Sequence, residues 1–178
     1  MNLLLRFSYQ VVCSMIAKPI GINEQDSVDM RVWPNDLDIN IHLNNGRFLS
    51  LMDLGRTRLS IRTGLFKLAK KLGWGYGVVG GVTIIYLKSI APFQKFQLKT
   101  KLAGHYNGWF YIEQRFEAKG KLIAAALVKV TFLKNRKRIS AEEIIKAMNV
   151  DEIGENREYL EHLFNSETEF LRHVKKDY

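Results

Sequence analysis

Residues 109–118 and 121–134, WFYIEQRFEA and KLIAAALVKVTFLK, are long stretches of alternating apolar and polar character with only Lys119-Gly120 between them. Residues 96–106, FQLKTKLAGHY, precede them across Asn107-Gly108, a strong hairpin signal. Successive strand side chains point to opposite faces, so each stretch offers one face to a core. Turns this tight join antiparallel neighbours. A fourth strand candidate, VTIIYLKSI at residues 82–90, ends at Ala91-Pro92. A long antiparallel sheet is therefore the expectation around which the rest of the chain must fit.

Upstream, residues 26–32 alternate as a half-buried strand with Val28, Met30 and Val32 on one face, stopped by Trp33 and Pro34. A polar segment follows, and Asn44 or Asn45 is a candidate N-cap. The next helix is expected over residues 45–61, continuing past a break near Gly64 to Leu72. Phe48, Leu51, Met52, Gly55 and Leu59 share one stripe, with Arg47, Arg56 and Arg58 largely elsewhere. A mid-helix glycine costs about 1 kcal/mol of propensity, so Gly55 implies close approach of another backbone, such as a sheet wrapped round the helix. Residues 73–81 read as a loop or a flexible strand entry. Ser140 with Glu143 forms a capping box for a helix to Met148. A second helix is expected over residues 156–174, with Leu160, Leu163, Phe164, Phe170 and Leu171 as packing residues.

The fold class is thus α+β. The expected boundaries are an N-terminal amphipathic helix at 1–22, a main domain at 23–136 and a C-terminal helical extension at 137–178. One helix on one long sheet covers one sheet face, and the open edges invite a dimer.

In the N-terminal segment, Leu4, Phe7, Val11, Val12, Met15 and Ile16 recur at helical spacing until Pro19 and Gly21. No run approaches the roughly 18 apolar residues of a membrane span. This helix is expected to dock on the protein's own core or on a second subunit, with peripheral membrane contact through residues 1–20 as the alternative. The single cysteine, Cys13, excludes an internal disulfide and a thiolate zinc cluster, is read as a buried structural thiol, and makes a reducing cytoplasm the default. The net charge of +9 favours anionic partners without choosing among them. No stacking-aromatic or zinc module accompanies it, so nucleic acid is not an expected partner.

Residues 36–56, DLDINIHLNNGRFLSLMDLGR, resemble the signature of hotdog-fold acyl-CoA thioesterases of the 4-hydroxybenzoyl-CoA thioesterase type. Asp36-Leu37-Asp38 match the acid pair, Phe48 the helix aromatic, Asp53 the helix acid and Arg56 the arginine. The strand order agrees over residues 26–134. The resemblance implies a long sheet curled round one central helix. It also implies a homodimer or dimer of dimers with its sites at the interface, and acyl-CoA as substrate with no further cofactor and no metal.

Thioester hydrolysis needs an attacking oxygen, stabilisation of an oxyanion and a hold on the leaving thiol's carrier. By resemblance the catalytic carboxylate is Asp38, as nucleophile or as general base. The oxyanion donors would be amides of Asn45, Gly46 and Arg47, which have no partner within the helix. Some relatives carry His at the position of Asn45. Here the nearby His is His42, which could orient Asp38 or brace the loop. Asp38 could instead simply close an Asx turn. Asp36 reads as structural, and Asp53 as a partner of Arg56 or Arg47 with a reserve catalytic role. Lys88, Ser89, Lys134, Arg136, Lys137 and Arg138 are candidates for the coenzyme phosphates. Trp74, Tyr76 and Val78 are candidates for an acyl tunnel. The alternatives are an acyl-carrier-protein thioesterase and a non-catalytic acyl or lipid binder at a membrane surface. A hotdog dehydratase fits the motif poorly.

Overall fold

A computed structural model describes residues 3–75, 77–151, 153–154 and 158–177. Five helices, α1 (Leu3–Ile16), α2 (Asn45–Arg62), α3 (Leu65–Lys71), α4 (Ala141–Met148) and α5 (Glu158–Val174), accompany six strands. These are β1 (Asp26–Arg31), β2 (Gly77–Tyr86), β3 (Lys95–Tyr106), β4 (Trp109–Ala118), β5 (Lys121–Lys134) and the short β6 (Lys137–Arg138). The antiparallel sheet runs β1-β3-β4-β5-β2, with β6 beside β5.

The two expected hairpins form where the turn chemistry demands. Asn107 and Gly108 have φ of 47° and 74°, and Lys119 and Gly120 have φ of 50° and 71°. Two successive left-handed residues make the turn whose twist matches that of paired strands. A third such turn, at Asn135-Arg136, adds β6, which the sequence did not suggest.

The sheet curls over α2, whose Phe48, Leu51, Met52 and Leu54 enter the main core with Leu98, Phe116 and Val128. Phe48 and Phe116 pack edge to face at 4.7 Å. Gly55 is the point of closest approach. A Cβ there would sit 2.6 Å from Thr100 Oγ1 and 2.9 Å from both Gln114 Nε2 and Leu98 Cδ2. Beneath it Gln114, fully buried, donates to Met52 O at 3.0 Å and to Thr100 Oγ1 at 3.1 Å.

Four expectations need correction. β2 occupies residues 77–86 rather than 82–90, so most of the glycine-rich segment is strand. Its bulge between Val79 and Gly81 leaves Gly80 over Trp109, where a Cβ would meet the indole at 2.5 Å. In α5, Leu160 is buried with Ala103 and Tyr111, Leu163 packs against that cluster and Phe164 packs edge to face on Tyr106, but Phe170 and Leu171 are 66% and 52% exposed. The helix outruns the sheet face that it covers. Finally, the face by which α1 docks is polar: its buried residues are Arg6, Gln10 and Ser14. The apolar periodicity described a different face. Cys13 on this helix is half-buried, not buried.

Candidate active site at the start of the central helix

The chain approaches α2 through a 3-10 turn at Pro34–Asp36 and a narrow hairpin-like loop. Leu37 and Leu43 bridge across it, the Asn44 amide donates to Asp36 O at 2.8 Å, and the Asp38 amide donates to His42 O at 2.9 Å. The Leu43 amide in turn donates to Ile90 O at 3.0 Å, seating the loop against the segment after β2. The loop tip is tight enough to put Ile41 at φ 59°, an uncommon conformation for a β-branched residue.

The two acids of the loop have separate roles in this arrangement. Asp36 is 2% exposed, ion-paired with Arg6 of α1 at 2.7 Å and accepting from the Trp33 amide at 2.9 Å. Arg47, in the first turn of α2, lies 3.9 Å from its other oxygen and donates to Asn35 O at 3.0 Å. Asp36 therefore ties α1, the loop and α2 together. Asp38 is half-buried, and its Oδ1 accepts from the Asn40 amide at 2.9 Å and the His42 amide at 3.4 Å. These bonds close an Asx turn and leave Oδ2 out of both.

Asn44 is the N-cap of α2, its Oδ1 accepting from the Gly46 amide at 2.8 Å while its carbonyl accepts from the Arg47 amide at 2.9 Å. Two of the proposed oxyanion donors are thus engaged by one residue. A residue that the sequence reading did not single out joins them. Tyr86, at the end of β2, donates to Asn45 O at 3.1 Å and packs edge to face on Phe48 at 5.1 Å. Burial holds its phenol above the usual pKa. Nothing in the alternation of its strand marks Tyr86 as a neighbour of α2, because that contact depends on how far the sheet curls.

The basic candidates separate. Lys88 and Ser89 are exposed, directly before Ile90 and hence beside the loop. Arg136, Lys137 and Arg138 are exposed at the opposite end of the sheet, where Arg138 lies over the Trp109 ring at 4.6 Å. β2 spans the gap, with Gly77 opposite Phe132 and Tyr86 at the α2 end, which at ~3.3 Å per residue is roughly 30 Å.

Further along α2 lies a cavity of about 660 Å³, lined mostly by apolar side chains from α1, α2, α3, α4 and the sheet. Trp74 is on its wall, Val78 is not, and Tyr76 lies outside the described residues. Three charged residues line it, Asp53 and Arg56 of α2 and Lys70 of α3. Arg56 is ion-paired with Asp53, as the sequence suggested, and donates to Gln114 Oε1 at 2.7 Å. Burial pulls its guanidinium below the usual pKa, against the opposing pull of Asp53. Neither this cavity nor a shallower one on the outer sheet face is lined by Asp38.

Comparison with known proteins adds four relationships. The family model of the thioesterase-like superfamily matches residues 32–153. Protein THEM6 of Xenopus laevis is 38% identical over 98 residues, 54% of this chain and 47% of that protein. A probable thioesterase of Saccharomyces cerevisiae is 25% identical over 128 residues, 71% of this chain and 56% of that one. The chain thus spans about half the length of the curated relatives it matches. Among solved structures, a Thermus thermophilus thioesterase complexed with coenzyme A and zinc superposes with a TM-score of 0.59. It is 25% identical, with 68% of this chain and 89% of that chain covered.

Proposed function

Because the chain belongs to the thioesterase-like superfamily and has its hotdog fold, we propose that it hydrolyses acyl-CoA thioesters to a free acid and coenzyme A. Asp38 carries the reaction in this reading. Either its carboxylate attacks the thioester carbonyl, giving an anhydride that water then opens, or it takes the proton from an attacking water. In both routes the carbon–sulfur bond breaks and the sulfur leaves as the coenzyme thiol after protonation.

The observation that carries the proposal is the folding of the acid-bearing loop onto the first turn of α2, with one Asp38 oxygen outside the Asx turn. Partial positive charge at a helix start favours a developing oxyanion. The substrate carbonyl would take the place of Asn44 Oδ1 on the Gly46 amide, and Asn45 and Gly46 would flank it. His42 supports Asp38 through its backbone amide. Lys88 and Ser89 are the phosphate contacts that this geometry favours.

A homodimer through the β2 edge is part of the same reading. That edge strand exposes Val78, Val79, Val82 and Ile85, an apolar row that is a liability if left unpaired.

A thiol-release screen over short, long and aromatic acyl-CoAs tests the proposal. Release is expected for at least one class and is expected to be lost in a folded Asp38→Asn protein. No release from any acyl-CoA by the wild type would overturn it. Single-turnover hydrolysis in heavy-oxygen water separates the two routes, because only the anhydride route labels Asp38.

A further inference from the structure

The faces of α1 meet three different environments. Arg6, Gln10 and Ser14 point inward and are buried. Phe7, Val11 and Met15 line the large cavity. Leu5, Tyr9, Val12 and Ile16 are 61%, 67%, 59% and 82% exposed. A surface helix of a globular protein normally turns its apolar stripe inward and its polar face to water. Here the arrangement is reversed, and it is anchored. Arg6 is held by Asp36 of the loop before α2, while the Gln10 amide nitrogen is buried with no hydrogen-bond partner among the described residues. Placing polar groups inside and aliphatic groups outside is unfavourable in water on both counts. It becomes favourable when the outer face lies in an apolar medium.

The surroundings of that face indicate which medium. Leu65, Phe66 and Lys70 of α3 line the same cavity as α1, so the two helices form two banks of it. Phe66 is 37% exposed, and Lys67, Lys70 and Lys71 are exposed around it. Lys18 is exposed just beyond α1, its carbonyl accepting from Arg62 at the end of α2. Neither α1 nor α3 contains an acidic residue, and no Asp or Glu occurs between Asp53 and Glu113. An apolar helix face bordered by lysines matches the interfacial arrangement in which aliphatic side chains enter the headgroup region and cations meet anionic lipid.

We propose that α1 and α3 together form a docking surface for an anionic lipid bilayer. α1 lies in the interface plane, and the cavity between the two helices faces the lipid. The inference does not depend on thioester hydrolysis, and its test reads binding rather than turnover.

The full chain is sedimented with vesicles of phosphatidylcholine plus phosphatidylglycerol and with vesicles of phosphatidylcholine alone. Binding is expected to the anionic vesicles and to weaken with added salt. Val12→Glu with Ile16→Glu should weaken it about tenfold or more, because two aliphatic side chains no longer enter the bilayer. Lys67→Gln with Lys70→Gln and Lys71→Gln should weaken it roughly a hundredfold on anionic vesicles only, from the loss of three lysines at a charged surface. All these positions are exposed, and thermal unfolding of each variant confirms that it folds. Three results would each overturn the proposal. One is no sedimentation of the wild type with either vesicle. Another is sedimentation unchanged by Val12→Glu with Ile16→Glu. The third is light scattering in which that variant halves the mass of a wild-type oligomer, since a second copy would then cover the face.

Discussion

At its N-terminal end α2 meets a polar loop with two acids, a histidine and the Asn44 cap, and neither of the two cavities described above is lined by that loop. From Asp53 onward the same helix walls an apolar cavity of about 660 Å³ into which one ion pair reaches. The first region has an Asp38 oxygen outside the Asx turn and helix-start potential, but neither described cavity is lined by its loop. The second has the enclosure, but its carboxylate is committed to Arg56. Thioester chemistry on an acyl group needs both properties. On the proposed thioester hydrolysis, a complete site would join the two ends, either along α2 or across a partner subunit.

The largest effect is expected where the comparison is sharpest. Asp38→Asn should lower kcat/KM for thiol release by about 10²–10⁴-fold, the usual worth of a positioned proton-transfer group. Asp53→Asn should leave the rate within roughly tenfold of wild type, since a positioning partner supplies far less than a general base. Steady-state kinetics of both variants against the best acyl-CoA decides between them. The opposite ranking would move the chemistry to the middle of the helix.

Asp36→Ala should be next, as a loss of stability rather than of chemistry. It strands Arg6 at 7% exposure without its partner, and breaking a buried pair from one side costs about 3–5 kcal/mol. Urea unfolding measures this. Replacing Arg6 and Asp36 together with Met and Leu should recover most of it, since an apolar pair carries no unpaired charge.

The two glycines of α2 give an intermediate effect. Gly55→Val should destabilise by about 1–3 kcal/mol through overpacking against Thr100, Gln114 and Leu98. Gly46→Ala adds a Cβ 3.2 Å from Asn44 Oδ1 at an exposed position and should stay below about 1 kcal/mol in stability. It should nonetheless slow thiol release if a carbonyl docks there.

A comparably small effect belongs to Tyr86→Phe, which removes the hydrogen bond to Asn45 O and should cost about 0.5–1.5 kcal/mol. The Tyr86 phenol is held above its ordinary value of 10.0 by burial. The contribution is therefore fully present below that value and is lost as pH rises through the raised folded value. Unfolding of wild type and variant should converge at that alkaline limit.

Much of the sheet was legible because its signals are local. Period-2 alternation and the left-handed turns at Asn107-Gly108 and Lys119-Gly120 do not depend on distant residues. The Ser140 cap and the Gly55 approach were readable for the same reason, since each reflects a backbone need of its own segment. β2 was misplaced because Gly77, Gly80 and Gly81 have low strand propensity, and pairing with β5 together with space for Trp109 overrode it. The packing face of α1 was misread because hydrophobic periodicity identifies an apolar stripe without saying what covers it. Of the candidate site, residues 36–47 were readable as a local group and Trp74 was named for the cavity wall, whereas Tyr86 was not singled out.

The order of strands, the turns, the central helix and the acid-bearing loop at its start were determined by the sequence alone, because propensity, capping and side-chain alternation act over a few residues. Tertiary structure decided which acid is buried against Arg6, which carboxylate faces the cavity, and that α1 turns its polar face inward. Those outcomes depend on which surfaces, distant along the chain, exclude water together, and no local pattern encodes that.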